Sequence, residues 1–312
     1  GDPFQERPLQ PEPGADREFT TTFAAIDVQN GFWYKVTGGD AETAEYRVSV
    51  RATPQVMDFQ ATYHYRPYVA RVDEVRRDRS LKALRGTEVV LLARTNRTVK
   101  EGRLEFEGKG GSRTIPAQRV AADPEALQVR LVLEESGQYR LHFTATDNEA
   151  FVEPRSYSVV AVPDLPPRVE LTRPGQDVRL PANGLLALEG KANDDVGVKG
   201  LVLRLHVKGD GRLQPRPYRP GDKLALPGGG YPQAVDYKDF LDLAQVKSPD
   251  GRPFKLQPGM ELEYWLEAQD ACDFPRPNVG ESQHFRVQIL APEKDDKKRQ
   301  EERRRAEQEK QQ

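Results

Sequence analysis

Histidine and serine, the residues that most often carry acid–base or nucleophilic chemistry, are scattered through this sequence. Zinc-binding histidine pairs on a helix stand four residues apart, and no two histidines here have that spacing. No Gly-x-Ser-x-Gly sequence is present to expose a serine nucleophile on a sharp turn. The sequence therefore predicts no catalytic site and no cofactor, and we expect no hydrolase or transferase activity. Each of the four histidines lies in an alternating apolar–polar run and is expected to be structural: His64, His142, His206 and His284.

Carboxylates gather near turns, where they would suit a hard cation such as Ca²⁺, which takes roughly six to eight oxygen ligands. Asp and Asn also favour tight turns, and neither a D-x-D-x-D-G loop nor a D-x-N-D-N string is present. We therefore favour turn chemistry, predict no metal site, and expect Ca²⁺ binding to be weak or absent. Asp270 and Asp273 form a separate cluster further along the chain. The carboxylates expected to converge at one junction, should an ion bind, are Asp147, Glu149, Asp164, Asp194 and Asp195.

A basic run lies between residues 66 and 85, where seven Arg or Lys residues and three Asp or Glu residues give a net charge of +4. Such a run can meet a polyanion or an acidic envelope polymer. It is also typical of a solvated connector between two strands, which is the interpretation we favour. The residues that would contact a partner are Arg76, Arg77 and Arg79.

Two tryptophans each adjoin a tyrosine that is expected to face a core: Trp33 precedes Tyr34, and Trp265 follows Tyr264. Because successive side chains of a strand point to opposite faces, each tryptophan is expected on the outer face of its sheet. An exposed indole there can stack on a sugar ring or on a neighbouring module. We favour cover by a neighbouring module or strand and keep sugar stacking as the alternative.

The elements that must position these residues are strands. Short runs alternate between apolar and polar residues, for example at 47–51 and 129–133, and are bounded by Gly, Pro, Asn and Asp. This pattern predicts half-buried strands. With 25 Gly, 25 Pro and 37% hydrophobic residues, the composition suits thin sandwiches in which each strand buries one face.

Charge and cysteine content restrict the function classes. The formal net charge of −2 gives no electrostatic basis for binding nucleic acid. The lone Cys272 excludes an intrachain disulfide framework and a multi-cysteine metal site. No run approaches the roughly 18 apolar residues of a membrane span. The sequence begins at Gly1 without a signal peptide, so we interpret it as a fragment and expect any export signal or anchor to lie outside it.

An internal repeat organises the chain. Three segments align on Asp40, Asp147 and Asp270, and each has apolar residues six and four positions before its aspartate. Each segment leads into a second alternating strand that ends near a proline: Pro54, Pro163 and Pro292. A strand, an acidic hairpin, a second strand and a proline linker predict the closing half of a β-sandwich.

The repeat sets the predicted domains. Residues 1–18, rich in proline and charge, are predicted to be a disordered linker. Three modules follow: the C-terminal part of a first at 19–53, a complete second at 54–163, and a third at 165–292 that should fold alone. The fold class is all-β, with tandem immunoglobulin- or fibronectin-III-like β-sandwiches. The predicted core of the third module includes Val169, Leu203, Leu266 and Val287.

Residues 293–312 have a different character and are predicted to form a charged helix. From residue 294 onward, 14 of 19 residues are charged, and acid-before-base pairs stand four apart. Because no apolar stripe is present, this helix has no seam for a coiled coil. It is predicted to be either a solvated helix or the start of a longer one.

Several motifs resemble a known family. The third module carries PPRVEL at 166–171, ANDDVGV at 192–198 and EYWLEAQD at 263–270, and the second carries ATYHY at 61–65 followed by Tyr68. In these residues the chain resembles the tandem Ig-like region of large bacterial cell-envelope proteins of unassigned function, in which membrane helices come first and a long charged helical region comes last. The resemblance covers nearly the whole chain from residue 19. It implies placement in the periplasm or cell envelope, and it supplies no catalytic residues.

The function favoured by the sequence is that of non-catalytic, extracytoplasmic spacer and interaction modules of a bacterial envelope protein. The expected partner is an envelope protein or polymer, nucleic acid is not expected, and a membrane is contacted only through segments absent from this fragment. Two alternatives stay open. One is a module that binds carbohydrate or cell-wall polymer, and the other is an accessory region of an enzyme whose catalytic domain lies elsewhere.

Overall fold

The computed structural model describes residues 5–14, 17–24, 28, 30–220, 222–295, 300, 301, 303–305, 307 and 308. The chain divides into two compact units, Gly1–Pro54 and Gln55–Gln312. Within the described residues, no helix is long and apolar enough to cross a membrane.

The first unit consists of short antiparallel pairs with mostly exposed side chains. Strand β1 (Gln10–Pro11) pairs with β2 (Phe19–Thr20), β3 (Phe32–Tyr34) with β6 (Tyr46–Val48), and β4 (Thr37–Gly38) with β5 (Ala41–Glu42). The acidic turn at Asp40 joins β4 to β5, as the repeat predicts. The linker and partial-module boundaries at 18 and 53 stay predictions.

The second unit begins with a β-sandwich over residues 56–162, called sandwich A. One sheet has the order β8-β7-β10-β13 and the other has the order β9-β16-β14-β11, while β12 pairs with both β11 and β13 and β15 pairs with β14. A short 3₁₀ turn, Pro67–Val69, follows β7. The strands are β7 (Val56–His64), β8 (Glu74–Arg76), β9 (Leu81–Leu84), β10 (Glu88–Thr95), β11 (Val99–Gly108), β12 (Gly111–Val120), β13 (Asp123–Val132), β14 (Gly137–Ala145), β15 (Ala150–Val152) and β16 (Tyr157–Val162).

A second β-sandwich, called sandwich B, covers residues 168–290. One sheet has the order β17-β19-β23 and the other β18-β26-β24-β20-β21, with β22 beside β20 and β25 beside β24. Two 3₁₀ turns lie at Asp222–Leu224 and Leu243–Gln245. The strands are β17 (Arg168–Arg173), β18 (Val178–Pro181), β19 (Leu185–Asn193), β20 (Val198–Val207), β21 (Gly211–Arg212), β22 (Arg216–Tyr218), β23 (Ala234–Asp242), β24 (Glu261–Asp270), β25 (Val279–Glu281) and β26 (Phe285–Leu290).

The two sandwiches share one topology. In each, three strands of the first sheet are antiparallel neighbours, β7-β10-β13 in sandwich A and β17-β19-β23 in sandwich B. A short segment, β9 or β18, crosses to the other sheet and pairs in parallel with the last strand, β16 or β26. This division into one sheet that begins the module and one that closes it is the immunoglobulin and fibronectin-III arrangement. The predicted all-β class with tandem Ig-like sandwiches is therefore confirmed.

The cores follow the period-two alternation read from the sequence. In β24 the side chains of Tyr264 and Leu266 are fully buried, as are Leu203, which pairs with Leu266, and Val287, which pairs with Leu262. Val169 is partly buried and packs against the same core. The strand faces predicted from the repeat are therefore buried in sandwiches A and B. In the first unit the prediction is wrong, because Tyr34, also expected to face a core, is 41% exposed.

The C-terminal segment gives a different outcome from the sequence prediction. Residues 293–295 have no regular structure, and helical backbone is present at 300, 301, 303–305, 307 and 308. The other residues of the predicted helix lie outside the described part of the chain. A substantial charged helix is therefore not established. The segment has no apolar face by which a helix could pack on a core.

Candidate functional site

The junction between sandwiches A and B is built from three segments. Strand β16 ends at Val162, and a proline-rich linker leads to β17. The turn after β7 meets the loop between β24 and β25, where Tyr68, Ala271 and Cys272 form a small buried apolar cluster with Val69, Val196 and Tyr231 around it. The two sandwiches are therefore packed against each other as well as connected in sequence.

A charged and aromatic contact lies beside this cluster. Arg66 Nε donates to Asp273 Oδ1 at 2.5 Å, and Arg66 Nη2 donates to Asp273 Oδ2 at 3.2 Å. The guanidinium carbons of Arg66 and Arg85 lie 5.5 and 5.9 Å from the centroid of the Phe274 ring. The hydrogen bonds to Asp273 raise the pKa of Arg66. A bidentate ion pair and two cations near one aromatic ring hold the same loop of sandwich B.

Close backbone approach at the junction depends on glycine. A Cβ atom on Gly280, in β25, would lie 1.8 Å from the carbonyl oxygen of Pro167 in the linker. A Cβ atom on Gly86, whose φ is +89°, would lie 2.8 Å from Cγ of Phe274. Both positions therefore exclude a side chain unless the backbone or the ring moves.

Acidic and thiol groups meet under the same loop. Ligand atoms of Asp164, Asp270 and Cys272 all lie within 4.8 Å of one another. Asp270 is fully buried and fixed: its Oδ1 accepts from the backbone N–H groups of Cys272 (3.1 Å) and Asn278 (2.8 Å), and its Oδ2 accepts from Asn278 Nδ2 at 2.7 Å. Side chains from the linker and from sandwich B thus converge at one point.

Several polar atoms of this cluster lack a hydrogen bond of good geometry. These buried atoms are the two carboxylate oxygens of Asp164, Oδ1 of Asp194 and the hydroxyl oxygen of Tyr68. Asp194 is 8% exposed, and its other oxygen accepts from the backbone N–H groups of Val196 (3.0 Å) and Gly197 (2.6 Å). Buried polar groups in folded proteins are nearly always paired, so each exception calls for an explanation.

Burial raises the pKa of Asp164 and of Asp194, and neighbouring carboxylates act in the same direction. Burial also raises the pKa of the Cys272 thiol and of the Tyr68 hydroxyl. A carboxyl whose pKa is higher in the folded chain than its ordinary value of 3.8 binds its proton more tightly when folded. Its ionisation therefore lowers the free energy of unfolding as the pH rises above that value.

The structure corrects the expected convergence of acidic turns. Asp147 and Glu149 do not reach Asp164, because Arg97 binds them at 2.6 and 3.3 Å at the far end of sandwich A. Strand β16 runs antiparallel to β14 and returns the chain to the opposite end before the linker begins. Asp147 and Asp164 thus lie beyond opposite ends of β14, which is roughly 26 Å long at about 3.3 Å per residue. Asp195 is exposed.

Two of the three candidate arginines are held within sandwich A. Arg76 donates to both oxygens of Glu74 at 2.7 Å and lies over the Tyr63 ring. The hydrogen bonds that Glu74 accepts from Arg76 and from the Tyr65 hydroxyl lower the pKa of Glu74 to about 2. Arg79 donates to Glu153 and to the Tyr157 hydroxyl, both at 2.8 Å. Their first role is therefore structural. Arg77 is exposed.

A cleft of about 380 Å³ opens between the sandwiches. Half of its lining residues are apolar, and the other half carry polar or charged groups of both signs: Arg71, Arg76, Lys82, Asp195 and Gln233. Its volume falls at the lower end of small-molecule sites, but those are predominantly apolar. The cleft therefore marks the open side of the junction rather than a defined ligand pocket.

The two tryptophans have different environments. Trp265 is 8% exposed and stacks on the His284 ring, with centroids 4.2 Å apart and planes 11° from parallel. A sugar ring has no access to that face. Trp33 is 54% exposed, with the Arg47 guanidinium 5.7 Å from its ring centroid. Only Trp33 of the pair offers an accessible indole.

The sequence did not reveal that two histidines flank one carboxylate. On the outer face of sandwich B, Glu263 lies 3.6 Å from His206 and 3.4 Å from His284. These residues come from β20, from β24 and from the position just before β26, so only the sheet register brings them together. The three side chains are each more than 30% exposed, which fits a surface ion-pair network.

Comparisons with known proteins do not assign a family. No family model and no curated protein matches the chain. Among solved structures it is similar to the fibronectin(III)-like modules of Clostridium thermocellum CbhA, with 13% identity, coverage of 68% of this chain and 90% of that one, and a TM-score of 0.23. It is also similar to an ICAM-5 D1–D4 ectodomain fragment, with 15% identity, coverage of 76% and 52%, and a TM-score of 0.29.

A third similarity is to latent PorU from Porphyromonas gingivalis, with 10% identity, coverage of 77% of this chain and 20% of that chain, and a TM-score of 0.25. The chain thus spans about half of the ICAM-5 fragment and a fifth of PorU. Identities and TM-scores this low describe a general likeness. The assignment of Ig-like sandwiches rests on the strand order and register described above.

Proposed function

We propose that this chain is a non-catalytic spacer in an extracytoplasmic protein of a bacterial envelope, holding distal regions apart and presenting interaction surface. The observation that carries the proposal is the packed junction between the sandwiches. A spacer must transmit orientation from one module to the next, and two sandwiches joined only by a flexible linker could not do so.

Three features favour a fixed angle at the junction. The linker contains Pro163, Pro166 and Pro167, and each proline fixes φ and favours extended backbone in the residue before it. The Arg66–Asp273 pair and the Tyr68–Cys272 cluster tie the β24–β25 loop to sandwich A. Such contacts restrict relative motion of the modules more than covalent connection alone.

Reversing the charge of Arg66 should loosen the junction. In Arg66→Glu a second carboxylate would face Asp273, and one of the two cations on Phe274 would be lost. The contact should weaken by about 1 kcal/mol because the pair is partly exposed. Small-angle X-ray scattering of the full chain should show a larger radius of gyration and a broader distribution of distances.

The matched control is Arg103→Glu, which changes the same charge at an exposed pair with Glu105 inside sandwich A. Its scattering curve should match that of the wild type. If Arg66→Glu also left the curve unchanged, the ion pair would not set the orientation of the sandwiches, and the spacer proposal would lose its main support.

The finer parts of this proposal rest on the resemblance to bacterial envelope proteins. The partner would be an envelope protein or polymer, and attachment to a membrane would come from segments outside this sequence. The charged residues 293–312 would continue into a longer helical region. A third possibility, that the chain is an accessory part of an enzyme with a catalytic domain elsewhere, is decided by the full-length gene product.

Carbohydrate binding is the second candidate, and one observation favours it. Trp33 presents an exposed indole with Arg47 beside it, a combination that can stack on a sugar ring and contact its acidic groups. If this function is correct, Trp33→Ala should abolish retention on a glycan array or on isolated cell wall. Phe19→Ala, at another exposed aromatic residue in the same unit, should not. Lack of any retention by the wild type favours the spacer alone.

A further inference from the structure

We propose that the junction between sandwiches A and B binds one Zn²⁺ ion through Cys272, Asp164 and Asp270. The ligand atoms of these three side chains all lie within 4.8 Å of one another. Zinc is bound by cysteine sulfur at roughly 2.3 Å and by carboxylate oxygen at roughly 2.0–2.2 Å. Closing the cluster around an ion therefore needs the ligand atoms to move closer together by rotation of their side chains.

The donor set selects the metal. A thiolate is a soft ligand that suits zinc, whereas Ca²⁺ and Mg²⁺ prefer oxygen alone. Zinc accepts four ligands, and a cluster of two carboxylates and one thiolate supplies three. The Tyr68 side chain packs in the same buried cluster as Cys272. The fourth ligand would be its hydroxyl or a water molecule.

An independent observation points to a missing cation. Tyr68 is only 9% exposed, and its hydroxyl has no hydrogen bond of good geometry. Both carboxylate oxygens of Asp164 are buried without such a partner. Burying an unpaired carboxylate is costly unless it is neutralised, and a bound cation neutralises it. Asp194, with one unpartnered buried oxygen, adds negative charge nearby and favours a cation further.

The surroundings hold one ligand in place. Asp270 is oriented by the side-chain amide of Asn278 and by two backbone N–H groups, which is the kind of outer contact that fixes metal-binding carboxylates. Each oxygen of a carboxylate has two lone pairs, so Oδ2 of Asp270 keeps one for an ion. Asp270 is thus preorganised, while Asp164 and Cys272 respond to the ion.

A bound ion would join parts of the chain that are remote in sequence. Asp164 belongs to the linker, Asp270 and Cys272 belong to the end of β24 and the loop that follows, and Tyr68 comes from sandwich A. Zinc would therefore cross-link both sandwiches and the linker at one point. Because it binds the folded junction, it would stabilise the folded chain by mass action.

The competing explanation is a proton. Burial raises the pKa of Asp164, and a neutral carboxyl beside a thiol and a hydroxyl needs no metal. The two explanations differ in what the wild-type chain does with metal. Zinc binding should release a proton from the thiol and weaken at acidic pH, whereas a protonated Asp164 should leave added zinc unbound.

The test uses the full chain, stripped with a chelator and titrated with ZnCl₂. We expect one zinc per chain by calorimetry and metal analysis, together with a rise of several degrees in melting temperature at excess zinc. Co²⁺ used in place of zinc should give the near-ultraviolet absorption of a cobalt–thiolate bond, a readout that needs no variant to fold.

Variants assign the ligands. Cys272→Ser should remove the cobalt–thiolate absorption, and Asp164→Asn should lower zinc affinity at least tenfold. Asp195→Asn, which changes an exposed carboxylate next to Asp194, should bind zinc like the wild type. The proposal is overturned if the wild type binds no zinc, if no cobalt–thiolate absorption develops, or if Ca²⁺ alone stabilises the chain.

Discussion

Leu266→Asp should abolish the folding of sandwich B. Leu266 is fully buried at the centre of the core formed by the two sheets, opposite Leu203. The substitution removes a large apolar side chain and places a carboxylate where it has no partner, and the combined cost should be about 4 kcal/mol or more. Differential scanning calorimetry of the full chain should lose the transition that belongs to sandwich B.

The control for this change is Leu290→Asp, because Leu290 lies on the outer side of β26 and is 44% exposed. It introduces the same carboxylate without burying it, and its transition should move by no more than about 0.5 kcal/mol. A melting curve of Leu266→Asp that matched the wild type would contradict the register of β24 in the sheet.

Gly280→Ala should displace the linker and destabilise the junction. The new methyl group would lie 1.8 Å from the Pro167 carbonyl oxygen, and the neighbour is backbone rather than a movable side-chain tip. Either β25 or the linker must shift, at a cost of about 1–3 kcal/mol or more. Urea unfolding of the full chain should show this loss, and hydrogen exchange should rise in β25 and at the start of β17.

Gly200→Ala is the matched control in the same sheet, since a Cβ atom on Gly200 meets nothing within 4 Å. Alanine has less conformational freedom than glycine in the unfolded chain, so this variant should be neutral or slightly more stable, by up to about 1 kcal/mol. Equal stability of the two variants would show that the linker does not approach β25 as closely as described.

Local pattern was enough to predict the strands and their faces. The alternation around Leu141 and Leu266 identified which side chains enter the cores, because the side-chain period of a strand is fixed by its backbone geometry. The same period placed Trp265 on the outer face, but not under the His284 ring. That cover depends on which strand lies beside β24, and sequence period carries no information about strand neighbours.

The acidic turns show the same limit. The repeat predicted an acidic hairpin after β14 and another after β24, and both are present. It did not indicate which end of a sandwich each hairpin occupies. Since β16 returns the chain to the opposite end, Asp147 faces away from the linker and pairs with Arg97, while Asp270 at the equivalent position in sandwich B meets Asp164.

The sequence by itself determined the class of fold, the tandem arrangement and the buried face of each main strand, because these follow from alternation and turn residues that act over a few positions. Only the tertiary structure decided the junction. Asp164, Asp270 and Cys272 come together because strand direction, linker length and the packing of Tyr68 act at once. Those constraints act between residues that are far apart in the sequence, so a local sequence pattern does not predict them.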